Sequence, residues 1–66
     1  MEIVLNGTVH PLGEVQSIAE LVAQLDLTHK AIAVAVNRSV ITRQKWDEYR
    51  LQDHDQVDVV RAIGGG

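Results

Sequence analysis

One stretch, Ser17 to Leu25, constrains what this chain can fold into more than any other. Ser17 supplies an oxygen for the free N–H groups of a first helical turn, and Glu20, three residues on, completes a capping box. Ile18, Leu21, Val22 and Leu25 then fall at i, i+3, i+4 and i+7 as one apolar stripe, while Glu20, Gln24 and Asp26 lie elsewhere on the helix. With 66 residues there is room for one domain, near the lower size limit for a single core. One amphipathic helix in so short a chain can bury its stripe only across one face of a mixed sheet. The core beneath it must be small and aliphatic, since 45% of the residues are apolar but Trp46 and Tyr49 are the only aromatics.

The strands of that sheet are readable on either side of the helix. Glu2 to Asn6 is aliphatic and β-branched and stops at Asn6-Gly7, a pair suited to the positive φ of a two-residue hairpin turn. Thr8 to Leu12 is the return strand, and Pro11, which has no N–H for a ladder, assigns it to a sheet edge. Ala31 to Val36 is small or aliphatic throughout, as an interior strand requires, and Val40-Ile41 follows Asn37-Arg38-Ser39 closely enough to be its hairpin partner at an edge. Thr42 to Tyr49 reads as a short helix or 3₁₀ turn whose Trp46 and Tyr49, three apart, plug the open end of the core. Leu51 to Asp55 is expected to turn, and Gln56 to Arg61 to form the last strand. In that strand alternation sets Val57 and Val59 on the helix face and Val60 on the other, where Ile41 or Val34 is expected to join it in an apolar patch.

Composition removes several classes of function. Six basic residues scattered singly in a chain of net charge −3 do not make a phosphate-binding face, so nucleic acid is not an expected partner. No apolar run is long enough to span a bilayer and no signal peptide shows, so no membrane partner is expected and the expected location is the cytoplasm. Without cysteine the chain has no disulfide, no thiolate site and no sulfur nucleophile of its own. His10, His29 and His54 lack ligand spacing, and the three adjacent side chains Asp53, His54 and Asp55 converge poorly on a cation, so no metal site is expected. Ser17 has no evident base. No residue is assigned a catalytic role, which leaves a substrate of enzymes as the better reading than an enzyme.

The remaining feature is the end of the chain, Arg61-Ala62-Ile63-Gly64-Gly65-Gly66, where a strand gives way to three residues without side chains. Taken alone, such a tail reads as a frayed end or a linker remnant. It also suits a narrow channel: each glycine removes a Cβ and frees φ, and three extended residues reach roughly 10 Å. A terminal carboxylate carried this way can be brought against the reactive atoms of another molecule.

The order of hairpin, helix, two strands, turn-helix and a last strand running into glycines resembles the β-grasp fold of ubiquitin and the bacterial sulfur carriers. Val36-Asn37, Val40 to Trp46, Leu51 and Asp53 to Val60 narrow the resemblance to the ThiS family, the sulfur carriers of thiamin thiazole synthesis, and the similarity runs from Met1 to Gly66. Two positions depart from the family pattern: proline is frequent where Thr42 stands, and glycine where His54 stands. His54 must therefore hold a positive φ or the turn must be of another type.

The resemblance implies an α+β fold of the β-grasp kind, a mixed sheet of four to five strands on one main helix with a short 3₁₀ or α turn. Residues 1–63 would be the domain and 64–66 a flexible tail. It implies a carrier acted on by others. An E1-like adenylating enzyme (ThiF-type) uses ATP and Mg²⁺ to activate the Gly66 carboxylate, a sulfur donor such as a cysteine desulfurase converts it to a thiocarboxylate, and a thiazole synthase (ThiG-type) receives the sulfur. No cofactor would stay bound. Gly64 and Gly65 would thread into partner active sites, and Val60, Arg61, Ala62 and Ile63 would dock the body. A molybdopterin-pathway sulfur carrier or a ubiquitin-like modifier is compatible with the same fold, and a binding module with a disordered tail is the alternative of a different class.

Overall fold

The computed structural model describes residues 1–61. Five strands and one helix follow in the order β1 (Glu2–Leu5), β2 (Thr8–Pro11), α1 (Ile18–Gln24), β3 (Ile32–Val36), β4 (Ser39–Ile41) and β5 (Gln56–Arg61), with a 3₁₀ turn at Arg43–Lys45. They form one sheet in the order β2-β1-β5-β3-β4. β1 and β5 are parallel, and the other neighbours are antiparallel. The helix crosses one face of this mixed sheet, the β-grasp arrangement expected. β5 lies in the middle, so the last strand in sequence is inserted between the first hairpin and the second.

Each element follows from local chemistry. Asn6 (φ 49°) and Gly7 (φ 83°) make the left-handed turn of the first hairpin, and the second hairpin makes the same turn without glycine, at Asn37 (φ 50°) and Arg38 (φ 73°). Pro11 stands in the edge strand β2, opposite Glu2 of β1. The capping box at the helix start is complete: Glu20 N–H donates to Ser17 Oγ at 3.1 Å, and Ser17 N–H donates to Glu20 Oε1 at 3.1 Å.

Ile18, Leu21 and Val22 of the stripe are buried against Ile3, Val34, Val36 and Val57, and Leu25, which follows the helix, packs on the same core while partly exposed. Burying each such side chain is worth about 1.5 to 3 kcal/mol. Trp46 closes the end of this core, its indole N–H donating to the Ile41 carbonyl at 2.9 Å, with Tyr49 packed beside it. Arg43 lies over the Trp46 ring at 4.5 Å and donates to the carbonyls of Thr28 and Lys30, which ties the 3₁₀ turn to the loop after the helix.

Leu51 is buried and belongs to the core, in the segment expected to be only a turn. Its N–H donates to Gln16 O, while Ile18 and Ala19 donate to the carbonyls of Tyr49 and Trp46. The free N–H groups of the helix start are thus satisfied by residues 46–49, and this draws Leu51 inward.

Candidate functional site

β5 is the element on which any use of the C-terminus depends. It pairs with β3 over five positions, from Val36↔Val57 to Ile32↔Arg61, but with β1 over two, Val4↔Gln56 and Leu5↔Val57. Beyond Leu5 the chain turns away, and the Asn6 side chain meets β5 instead. Val59 N–H donates to Asn6 Oδ1 at 2.8 Å, and Asn6 Nδ2 donates to Val59 O at 3.2 Å. At the other end of β5 Asn37 does related work: its Oδ1 accepts from Gln56 N–H at 3.0 Å and its Nδ2 donates to Asp55 Oδ1 at 3.1 Å. Both asparagines announce turns in the sequence, but nothing in the sequence shows that their side chains reach a strand some 20 or 50 residues away.

The face of the sheet opposite the helix carries Val60, which is 57% exposed. Its cross-strand neighbour is Ala33, and next to that pair Ala35 lies between Asp58 and Val40, itself 73% exposed. Val4 and the exposed Val9 continue the same face across β1 and β2. The expectation that Val34 or Ile41 would join Val60 is wrong. Val34 pairs with both Ile41 and Val59 and is fully buried under the helix, and Ile41 packs on the same core. A strand's side chains alternate, so the partners of Val60 are the small residues between those positions, Ala33 and Ala35, with Val40. Knowing which strand lies beside β5 is what identifies them.

Arg61 stands opposite Ile32 on the helix side, so it and Val60 project from opposite faces of one strand. Ala62, Ile63, Gly64, Gly65 and Gly66 lie outside the described residues.

His54 (φ 71°) occupies the left-handed conformation, which settles the form of its turn. Its N–H donates to Glu2 O at 2.7 Å, and Asp53 Oδ1 accepts from Glu2 N–H at 2.9 Å. That backbone hydrogen bond, helped by the His54 ring and the N-terminal amine, holds the Asp53 carboxyl below the usual aspartate range. The Asp55 carboxylate is engaged by other groups, its Oδ2 accepting from Gln52 N–H at 2.8 Å and its Oδ1 from Asn37 Nδ2 at 3.1 Å. Among the described residues no group of three acidic or histidine side chains is arranged to hold a metal ion.

A model of the ThiS family matches residues 3–66. The chain belongs to the ThiS family. It is 32% identical over 66 residues to the sulfur carrier protein ThiS of Escherichia coli K12, covering all of both chains. A sulfur carrier protein ThiS of Bacillus subtilis is 32% identical over 50 residues, 76% of each chain. The whole chain is also 35% identical to a segment of the thiazole synthase of Magnetococcus marinus, of which it spans 20%. The crystal structure of the thiamine biosynthesis protein ThiS from Geobacter metallireducens superimposes with a TM-score of 0.85 at 25% identity over both full lengths. The left-handed turn at His54 is held without glycine, by the main-chain bond from His54 N–H to Glu2 O and the bond from Glu2 N–H to the Asp53 carboxylate.

Proposed function

We propose that this ThiS-family sulfur carrier of thiamin biosynthesis works through the carboxylate of Gly66. A carboxylate is a poor electrophile, so it is first activated: its oxygen attacks the α-phosphorus of ATP on an E1-like adenylating enzyme, pyrophosphate leaves, and an acyl-adenylate forms. Mg²⁺ on that enzyme offsets the phosphate charge. The terminal sulfur of a persulfide on a donor such as a cysteine desulfurase then attacks the acyl carbon and AMP leaves, giving an acyl disulfide. A thiol attacks the donor-side sulfur of that S–S bond, forms a disulfide with the donor and releases the C-terminal sulfur. The resulting thiocarboxylate is anionic and nucleophilic, and a thiazole synthase takes its sulfur. The chain itself supplies no catalytic group; it carries the reacting carbon and presents it. The cytoplasm, where ATP and reduced sulfur donors are available, is the proposed compartment, and among the described residues no helix is long and apolar enough to cross a membrane.

The observation that carries this reading is that the family match extends through Gly66, the residue to which the proposal assigns the reacting carboxylate. The similarity to a segment of a thiazole synthase supports the last partner, because in that protein a domain like this one belongs to the same polypeptide. For docking, the open face around Val60 is the proposed body contact, and Gly64 and Gly65 the proposed threading segment. Arg61, Ala62 and Ile63 would add contacts at the entrance, Arg61 by charge against an acidic groove. Intact mass after incubation with ATP, an adenylating enzyme of the family and a sulfur source tests the core claim. The expected product has one terminal oxygen replaced by sulfur; a mass that never changes under conditions that convert the Escherichia coli relative would overturn it.

A further inference from the structure

In a parallel ladder the main-chain groups of β5 that face β1 are those of Val57, Val59 and Arg61 in turn. Val57 is served by the main chain, since Asn6 N–H donates to Val57 O at 2.9 Å. The next groups, the N–H and C=O of Val59, fall where β1 has already turned, and the Asn6 carboxamide serves both. A carboxamide carries the same donor and acceptor as a peptide unit, so it can stand in for one more strand residue. We infer that Asn6 is a positioning residue for the reactive tail: by extending the sheet with its side chain to Val59, two residues before β5 ends at Arg61, it steadies the last part of the strand that leads toward Gly66.

Two requirements meet at this position. The turn demands a positive φ, which asparagine tolerates better than most residues, and Val59 demands a donor and an acceptor together. Aspartate satisfies the first but has no donor when ionised; glycine satisfies the first and offers neither. Asn37 grips the opposite end of β5 from the β3 side, so asparagines from the two hairpin turns hold the strand at its start and at its exit. Without Asn6, β5 beyond Val57 is held by β3 alone. The exit then samples more directions, and fewer docked complexes have the carboxylate aligned with ATP. Docking of the body is unchanged, so the loss falls on kcat rather than KM.

This consequence rests on the sulfur-carrier reading; the clamp itself rests on geometry alone. Asn6→Gly keeps the turn and removes the amide, and Asn6→Asp keeps the turn and one acceptor while setting an oxygen against the Val59 carbonyl. In Asn6→Gly, amide hydrogen exchange at Val59 should rise about fivefold or more, with Val34 and Val36 unchanged; in Asn6→Asp the retained acceptor leaves a smaller rise at Val59. Adenylation kcat of Asn6→Gly should fall about tenfold at constant KM. Normal exchange at Val59 in folded Asn6→Gly overturns the clamp, and full kcat in that variant overturns its role in presentation. A rise in exchange at Val34 and Val36 as well would show global loosening and overturn the local role. A wild-type chain that never becomes adenylated sinks the carrier reading and the kinetic claim with it, while the exchange data still decide whether Asn6 holds Val59.

Discussion

His54 shows how much one backbone angle says about a residue. At φ 71° its Cβ costs about 1 to 2 kcal/mol, a penalty glycine avoids. Part of that relief is offset, because glycine also loosens the unfolded chain by about 0.4 to 1 kcal/mol. His54→Gly is therefore expected to stabilise the domain by about 0.5 kcal/mol, and His54→Val to destabilise it by more than that, read as opposite shifts of the urea midpoint at equal slope. The contact to Asp53 lost in both variants joins exposed groups and contributes little. Asp53 leaves a different signature. Its folded-state pKa is lowered, so the stability it contributes is present above the ordinary value of 3.8 and is lost as pH falls through the depressed value. Asp53→Asn should flatten that part of the acid limb; an acid limb identical to wild type would show that the Glu2 N–H bond to Asp53 does not act in solution. The sequence limited the turn at His54 to two alternatives and could not choose between them, because the choice is made by Glu2, a residue 52 positions away.

At the scale of elements, α1 was legible from the sequence nearly to the residue, since a capping box and a four-membered stripe depend on neighbours within two turns. Leu21 is fully buried at the centre of that stripe, and Leu21→Ala should cost about 2 to 5 kcal/mol. A chain of this size has only about 3 to 10 kcal/mol in total, so the variant should melt far earlier in urea, or be unfolded without it. Equal midpoints would remove α1 from the core. The sheet was less legible. The hairpins and Pro11's edge position follow from local turns, but the insertion of β5 between β1 and β3 joins residues far apart in sequence. The mistaken grouping of Val60 with Val34 and Ile41 has that origin: Val34 sits in an apolar run that shows no alternation until Ala33 and Ala35 are known to face away from the helix. Leu51 was missed as core for a related reason, because the bonds that draw it inward come from the helix start.

For the molecule as a whole, the open face and the end of the chain make separable predictions. Val60→Asp should cost under about 1 kcal/mol, since the side chain is mostly exposed. If this face docks the adenylating enzyme, the same variant should raise KM about tenfold, the loss of one well-placed apolar contact, with kcat unchanged. Unaltered kinetics in the folded variant would leave the tail as the recognised part. A tag fused after Gly66 should abolish conversion while moving stability by no more than about 0.5 kcal/mol; a tagged chain that still gains sulfur would rule out the terminal carboxylate. The central place of β5 has a mechanical corollary. β1 begins at the N-terminal end, β5 runs parallel beside it, and the described part of β5 finishes at the C-terminal side. A pull applied along β5 would load its hydrogen bonds to β1, to β3 and to the Asn6 amide together instead of opening them singly.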